Sequence, residues 1–166
     1  MSAAYAARSW AEFGQAVATA AAALAGLLFI AVSINLRQIL DLPGLPSRAA
    51  QTLILFATPL VGAIMLIVPG QPRAAVAIEL LATGLVVGGG QLYLYLSAER
   101  SEQDTTWRRL VGRVIPAVTS CGCMVVAGAT LLGQAGGGLY WLVPSVLAAL
   151  IFGLTNVWVL LVEILR

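Results

Sequence analysis

Five long apolar runs, separated by short polar segments, organise this chain. Each is close to the length of about 20 residues that an α-helix needs to cross the hydrocarbon core of a bilayer. The pattern therefore predicts an all-α fold, a polytopic transmembrane bundle of five helices that forms one domain over residues 1–166. The predicted spans are residues 16–35, 51–69, 74–96, 110–133 and 139–165.

The segments between the runs have the composition of turns. LPGLPSR follows the first run, PGQPR the second, SAERSEQDTTWRR the third and QAGGG the fourth. Proline and glycine favour turns because one fixes φ and the other frees it. The first connection, LRQILDLPGLPSR, leaves two alternatives: a continuation of the first helix as far as Pro43, or a short interfacial segment.

Composition supports the membrane assignment and narrows the functions. Hydrophobic residues make up 60% of the chain and charged residues 10%, against about 45–50% and about 25% in soluble domains. The net charge of +2 does not indicate nucleic-acid binding, and lysine and histidine are both absent. Without imidazole or amine side chains, and with no sequence motif of a nucleophile or phosphate site, we predict that the protein is not an enzyme and has no cofactor.

The arginines predict how the chain is threaded. Arg8 precedes the first run, but that run is too long for a signal peptide and lacks a cleavage site, so we expect it to be retained. With five spans, Arg8 and Arg73 fall on the side of the N-terminus. The other side carries Arg37, Arg48, Arg100, Arg108, Arg109, Arg113 and Arg166. The positive-inside rule then predicts an N-out, C-in orientation in a plasma membrane.

Small residues recur every four positions in three of the spans, a pattern typical of close helix packing in membranes. The predicted packing positions are Gly14, Ala18, Ala22 and Gly26 in the first span, Gly84 and Gly88 in the third, and Ala149 and Gly153 in the fifth. They serve either the packing of one bundle or a homo-oligomer interface, for which the first span is the candidate.

Glu79 is the carboxylate that lies inside an apolar run, AIELLATGLVVGGGQLYLY. It lies five residues into the third span, roughly 8 Å along the helix axis and therefore near the edge of the hydrocarbon. It either reaches water or a neighbour such as Arg8 or Arg73, or it lines a transport path beside Thr83. Gln91 on the same span and Asn156 on the fifth complete the candidate transport or gating residues.

A second polar cluster is predicted at the cytoplasmic end. Asn156 and Glu163 lie seven residues apart on one face of the fifth span, and Arg113 enters the fourth span from the same side. Asn35 and Arg37 end the first span there. The cluster is either a polar clamp that holds helices together or an inner gate.

Cys121 and Cys123 do not predict a metal site. Two positions apart on a helix, their side chains point about 200° from one another. We expect both to be buried packing residues, and we predict no metal site.

Residues 23–53, ALAGLLFIAVSINLRQILDLPGLPSRAAQTL, resemble the opening of an uncharacterised family of small bacterial membrane proteins with about five helices. The shared features are the WAEF lead at 10–13, the Ala/Gly-rich first helix, the Ser33–Leu36 helix end and the linker Pro43–Arg48. The resemblance implies a bacterial inner-membrane location and brings no activity with it.

Two functions follow as hypotheses, and the sequence favours the first, because an accessory protein rarely requires a carboxylate below the membrane interface. In the first, the chain is a homo-oligomeric channel or a small-solute or ion transporter subunit, and Glu79 and Asn156 face a common water-accessible cavity. In the second, it is an accessory or structural protein that binds another membrane protein, and those side chains pair off within the bundle. Both have the lipid bilayer as their surroundings.

Overall fold

The computed structural model describes residues 3–41, 45–97 and 114–163, and within these ranges the chain is helical with no strand. The helices are α1 (Ala11–Ile34), α2 (Leu36–Asp41), α3 (Leu45–Ile67), α4 (Arg73–Ser97), α5 (Ile115–Gly133) and α6 (Leu142–Trp158). Short 3₁₀ turns, Ala3–Tyr5, Ala7–Trp10 and Gly138–Trp141, precede α1 and α6, and a π-helical segment, Val159–Glu163, follows α6.

Five segments are long and apolar enough to span a membrane, which confirms the predicted all-α bundle of five spanning helices. They are Arg8–Ile34, Leu45–Ile67, Arg73–Ser97, Ile115–Gly133 and Gly138–Leu161. The first begins eight residues and the second six residues earlier than predicted, because in both the helix extends beyond the apolar run that the prediction used. Residues 110–113 of the predicted fourth span lie outside the described ranges.

The first connection contains a separate short helix. α1 ends at Ile34, and Asn35 leaves the helical conformation with φ −105° and ψ 17° before α2 begins. Ile39 of α2 is only 2% exposed, so the segment packs against the bundle. Of the two alternatives, a continuous extension of α1 is therefore wrong; the predicted end at Pro43 lies outside the described residues.

α3 is the central helix of the bundle. It contacts α1, α4, α5 and α6. In its most apolar 18-residue stretch, 50% of α3 is buried, against 22% for α1. Phe56 of α3 is fully buried, and its ring fills the space beside Gly153 of α6, where a side chain would overlap it.

α4 and α5 form the tightest helix pair. A Cβ atom added at Gly128 of α5 would lie 2.7 Å from the carbonyl oxygen of Ala77, and one added at Gly84 would lie 3.1 Å from the backbone nitrogen of Val125. At Gly88 the nearest atom is 3.4 Å away, on Cys121. Gly84 and Gly88 thus lie on the contact face of α4, and the clearance between the two helices grows towards the end of α4.

The contact face of α1 departs from the predicted stripe of small residues. Gly14 lies against Ala63 of α3, but Ala18 is half-buried, and Ala22 and Gly26 are exposed. An α-helix has about 3.6 residues per turn, so each step of four residues rotates by about 40°, and Gly26 lies about 120° from Gly14. The buried residues are Gly14, Val17, Ala21, Leu28 and Ala31, with a mean spacing that keeps them on one side.

Replacement of Gly128 by alanine is expected to destabilise the bundle by about 1–3 kcal/mol, because the added methyl group would force α4 and α5 apart. Gly122→Ala is the matched control, since a Cβ atom added at Gly122 would meet no atom of another helix within 4 Å. Reversible unfolding in mixed detergent micelles measures both free energies of unfolding. Equal stability of the two variants would contradict the close backbone contact.

Candidate functional site

Glu79 is held by a glutamine in the preceding turn. Nε2 of Gln71 donates a hydrogen bond to its Oε2 at 2.6 Å, and both side chains are half-buried. No ion pair from Glu79 to Arg8 or Arg73 is present within the described residues. Arg73 lies six positions earlier on α4, which places it about 120° around the helix, whereas Gln71 precedes the helix and folds back over the carboxylate.

Thr83 lies one turn after Glu79 on the same face of α4, and its side chain approaches α3. Its hydroxyl lies 4.0 Å from the sulfur of Met65, and the side chain is half-buried. A thioether is a weak acceptor. The predicted pair Glu79 and Thr83 therefore borders the contact between α3 and α4.

Asn156 lies at the other end of the bundle, near the end of α6. It is 7% exposed, and its Oδ1 accepts a hydrogen bond from Nη2 of Arg48 at 3.3 Å. Asn35, 3% exposed, donates from Nδ2 to the carbonyl oxygens of Leu160 and Ala31, at 3.2 Å each. These bonds join α1, α3 and the end of the last span.

The predicted cytoplasmic clamp is only partly described. Arg113 lies outside the described residues, Glu163 ends the π-helical segment with a side chain that is not described, and Arg37 is exposed on α2. Within the described ranges, Arg48 takes part in the clamp instead. Sequence reasoning missed this role because Arg48 precedes the apolar run; the helical propensity of SRAA before that run was the available signal.

Gln91 is buried between α4 and α3. Its Nε2 donates to the backbone oxygen of Gln51 at 3.1 Å. The two residues line a cavity of about 170 Å³ between the start of α3, the end of α4 and the start of α5, together with Gly88, Tyr95, Ala117 and Cys121. A second cavity, of about 10 Å³, lies in the centre of the bundle beside Met124 and Ser145, which is room for about one water molecule.

The four candidate transport residues occupy three separate places. Glu79 and Thr83 lie one turn apart in the first half of α4, Gln91 lies near the end of the same helix, and Asn156 lies between α3 and α6. Neither of the two cavities is lined by Glu79, Thr83 or Asn156. Gln91 and Asn156 bond to α3 instead, and Glu79 bonds to the turn that precedes its own helix.

The cysteines face different surroundings. Cys121 is buried against α4, and Cys123 is half-buried; both are free thiols. In the residues that the structure describes, no group of three histidine, cysteine or acidic side chains is placed to hold a metal ion.

Comparisons with protein-family models, with curated proteins and with solved structures found no match to this chain. The resemblance of residues 23–53 to small bacterial membrane proteins therefore stays a prediction.

Replacement of Asn35 by leucine is expected to destabilise the bundle by about 0.6–1.7 kcal/mol, which runs from the average to the largest value measured for an interhelical hydrogen bond in a membrane protein. Ser33→Ala is the matched control, because Ser33 is exposed on the same helix. Unfolding in detergent gives both values. A loss as large for Ser33→Ala would show that the Asn35–Leu160 contact is not the cause.

Proposed function

We propose that this chain is a multi-pass protein of the bacterial plasma membrane that transports no solute itself and acts as an accessory or structural component. It self-associates through α1 and binds another membrane protein as part of a larger assembly. A channel or transporter subunit is the rival proposal.

The pairing of its polar side chains carries the proposal. A transport path needs polar groups that face water or the permeating solute along a common route. Here Glu79 is bonded to Gln71, Gln91 to the backbone of Gln51, and Asn156 to Arg48. Between the two ends, the centre of the bundle is occupied mainly by apolar side chains, among them the fully buried Phe56 and Met124, and the cavity beside Met124 and Ser145 has room for only about one water molecule.

The surface of α1 supports self-association. The side of α1 directed away from the bundle exposes Gln15, Thr19, Ala22, Gly26, Phe29 and Ser33. Their spacing alternates between four and three residues, which keeps them on one seam as in a pair of packed helices. Small side chains let helix backbones approach closely in lipid, where burial of apolar surface supplies no driving force.

The orientation belongs to the same proposal. Among the described residues, Arg8 and Arg73 lie at the end of the bundle that holds the turn between α3 and α4, and Arg37 and Arg48 lie at the opposite end. The larger number of arginines in the sequence on the second side supports an N-out, C-in arrangement.

Liposomes that contain the purified, folded protein are expected to pass potassium, sodium, chloride and protons at the rate of protein-free liposomes. An ionophore serves as the positive control. The physical reason is that Glu79, Gln91 and Asn156 bond to neighbouring residues at separate places and line no common path among the described residues. A flux above background that Glu79→Gln alters, with the protein still folded, would support the rival transporter and overturn the proposal.

Gly26→Leu is expected to weaken self-association about tenfold, a change of about 1.4 kcal/mol, because the larger side chain prevents close approach of two α1 helices. Gly89→Leu is the matched control: Gly89 is also exposed with no atom within 4 Å, but it lies on α4. Energy transfer between labelled copies in liposomes measures both. A protein that stays monomeric at all densities, or equal loss in both variants, would contradict association through α1.

Cysteines placed at Ser9 and at Gln38, in a background without Cys121 and Cys123, test the orientation. A thiol reagent that cannot cross membranes is expected to label Ser9→Cys in intact bacterial cells and Gln38→Cys only after the cells are opened. The reverse pattern would show an N-in orientation.

A further inference from the structure

The cavity between the start of α3, the end of α4 and the start of α5 results from the packing of glycines. α4 and α5 touch through backbone atoms at Gly128 and Gly84, and they are farther apart at Gly88. Beyond Gly88 the space between them opens into the cavity of about 170 Å³. Gln51 of α3 forms part of the wall of this cavity.

Two buried amides border this largely apolar space. The side chains of Gln51 and Gln91 are 8% and 5% exposed, and both line the cavity. Nε2 of Gln91 is used in the bond to the backbone oxygen of Gln51. Within the described residues, neither atom of the Gln51 side-chain amide has a hydrogen-bond partner, and neither does the side-chain oxygen of Gln91.

Such groups are costly in an apolar environment. Burial of an amide without a hydrogen bond costs about 1–3 kcal/mol by protein mutational data. The side-chain nitrogen of Gln91 is enough to hold α4 to α3, so the side-chain oxygen is not needed for that contact. Among the described residues, the side chain of Gln51 makes no hydrogen bond to a neighbouring helix. Contacts among the described residues therefore leave polar atoms of both side-chain amides open to the cavity, where a ligand can bond to them.

We propose that this cavity binds the uncharged part of an amphiphile from the lipid phase, which is either a small free lipophile or the ester-linked chain of a bilayer lipid. The ligand has an apolar part of about one ring or a short chain, and a carbonyl or hydroxyl oxygen that bonds to Gln51 and Gln91. An amide supplies both a donor and an acceptor, so it serves either oxygen group. This site goes beyond the proposed accessory function and does not depend on it.

The size and the opening of the cavity fit this ligand class. An apolar cavity of about 150 Å³ holds one benzene molecule. Leu92 and Val118, which also line the cavity, are 57% and 65% exposed on the surface of α4 and α5. In a spanning bundle this surface faces lipid, so a lipophilic ligand enters sideways. No charged side chain lines the cavity within the described residues, which disfavours an ion as ligand.

Two photoreactive probes distinguish the sources of such a ligand. One is benzyl alcohol that carries a diazirine, which represents a free small lipophile. The other is a phospholipid with a diazirine on its acyl chain close to the ester group, which represents bilayer lipid. The protein is labelled in liposomes, and the labelled residues are identified by mass spectrometry.

We expect at least one probe to label the cavity residues of α4 and α5, and unlabelled probe in excess to suppress this labelling. Labelling of Val86, which is 74% exposed on α4, serves as the internal reference for contact with lipid. Labelling by the phospholipid alone identifies a lipid chain as the occupant, and labelling by the alcohol identifies a free lipophile.

Two variants test the two halves of the site. Ala117→Leu fills the cavity and is expected to abolish the competed labelling. Gln51→Leu removes the amide but keeps the backbone oxygen that Gln91 uses, so we expect binding about 3–10-fold weaker with the fold retained. Gln38→Leu, a like replacement at an exposed position of α2, is expected to leave labelling unchanged.

The proposal would be overturned if neither probe labelled the cavity residues more strongly than it labels Val86. Labelling that excess probe does not suppress, or that stays unchanged in both Ala117→Leu and Gln51→Leu, would overturn it as well. Because Gln51→Leu alters no hydrogen bond between described residues, the test stands even where Ala117→Leu fails to fold.

Discussion

The close approach of helix backbones at small residues is the contact on which the rest of this structure depends. In lipid, the removal of apolar side chains from their surroundings gives little driving force, so the helices are held by dense packing and by hydrogen bonds. α4 meets α5 at Gly84 and Gly128, α3 meets α1 at Gly14, and Phe56 of α3 fills the space that Gly153 leaves on α6. α3 lies at the centre because it takes part in contacts with all four of the other long helices.

The polar contacts follow from this packing. Once two helices lie close together, a side chain with a donor can reach a neighbouring carbonyl, and an unpaired polar group in an apolar environment is costly. Asn35 reaches Leu160, Ser145 donates to the backbone oxygen of Ser120 at 2.6 Å, and Gln91 reaches Gln51. Such bonds fix the rotation of each helix about its axis, which packing of small residues alone leaves less well defined.

The same packing explains both of the surfaces that we connect with function. α4 and α5 touch at glycines along one part of their length and separate along the next, and the cavity with its two amides is the result. α1 lies at the edge of the bundle and has one buried side, so its opposite side, with Gln15 and Gly26, is left to a partner or to lipid. The two surfaces are on different helices, and the experiments on them are independent.

Hydropathy alone determined the five spans, the all-α class and most of the helix ends, because the length of a spanning helix is set by the bilayer and can be read along the chain. The spacing of Gly84 and Gly88 also placed them on one face, and the structure turns that face towards α5. Only the tertiary structure decided which neighbours the polar residues meet: Gln71 for Glu79, Arg48 for Asn156, and Gln51 for Gln91. It also showed that α1 buries Val17 and Ala21 rather than Ala22 and Gly26. These features depend on the rotation of each helix and on which helices lie side by side, and a one-dimensional pattern of apolar residues contains neither.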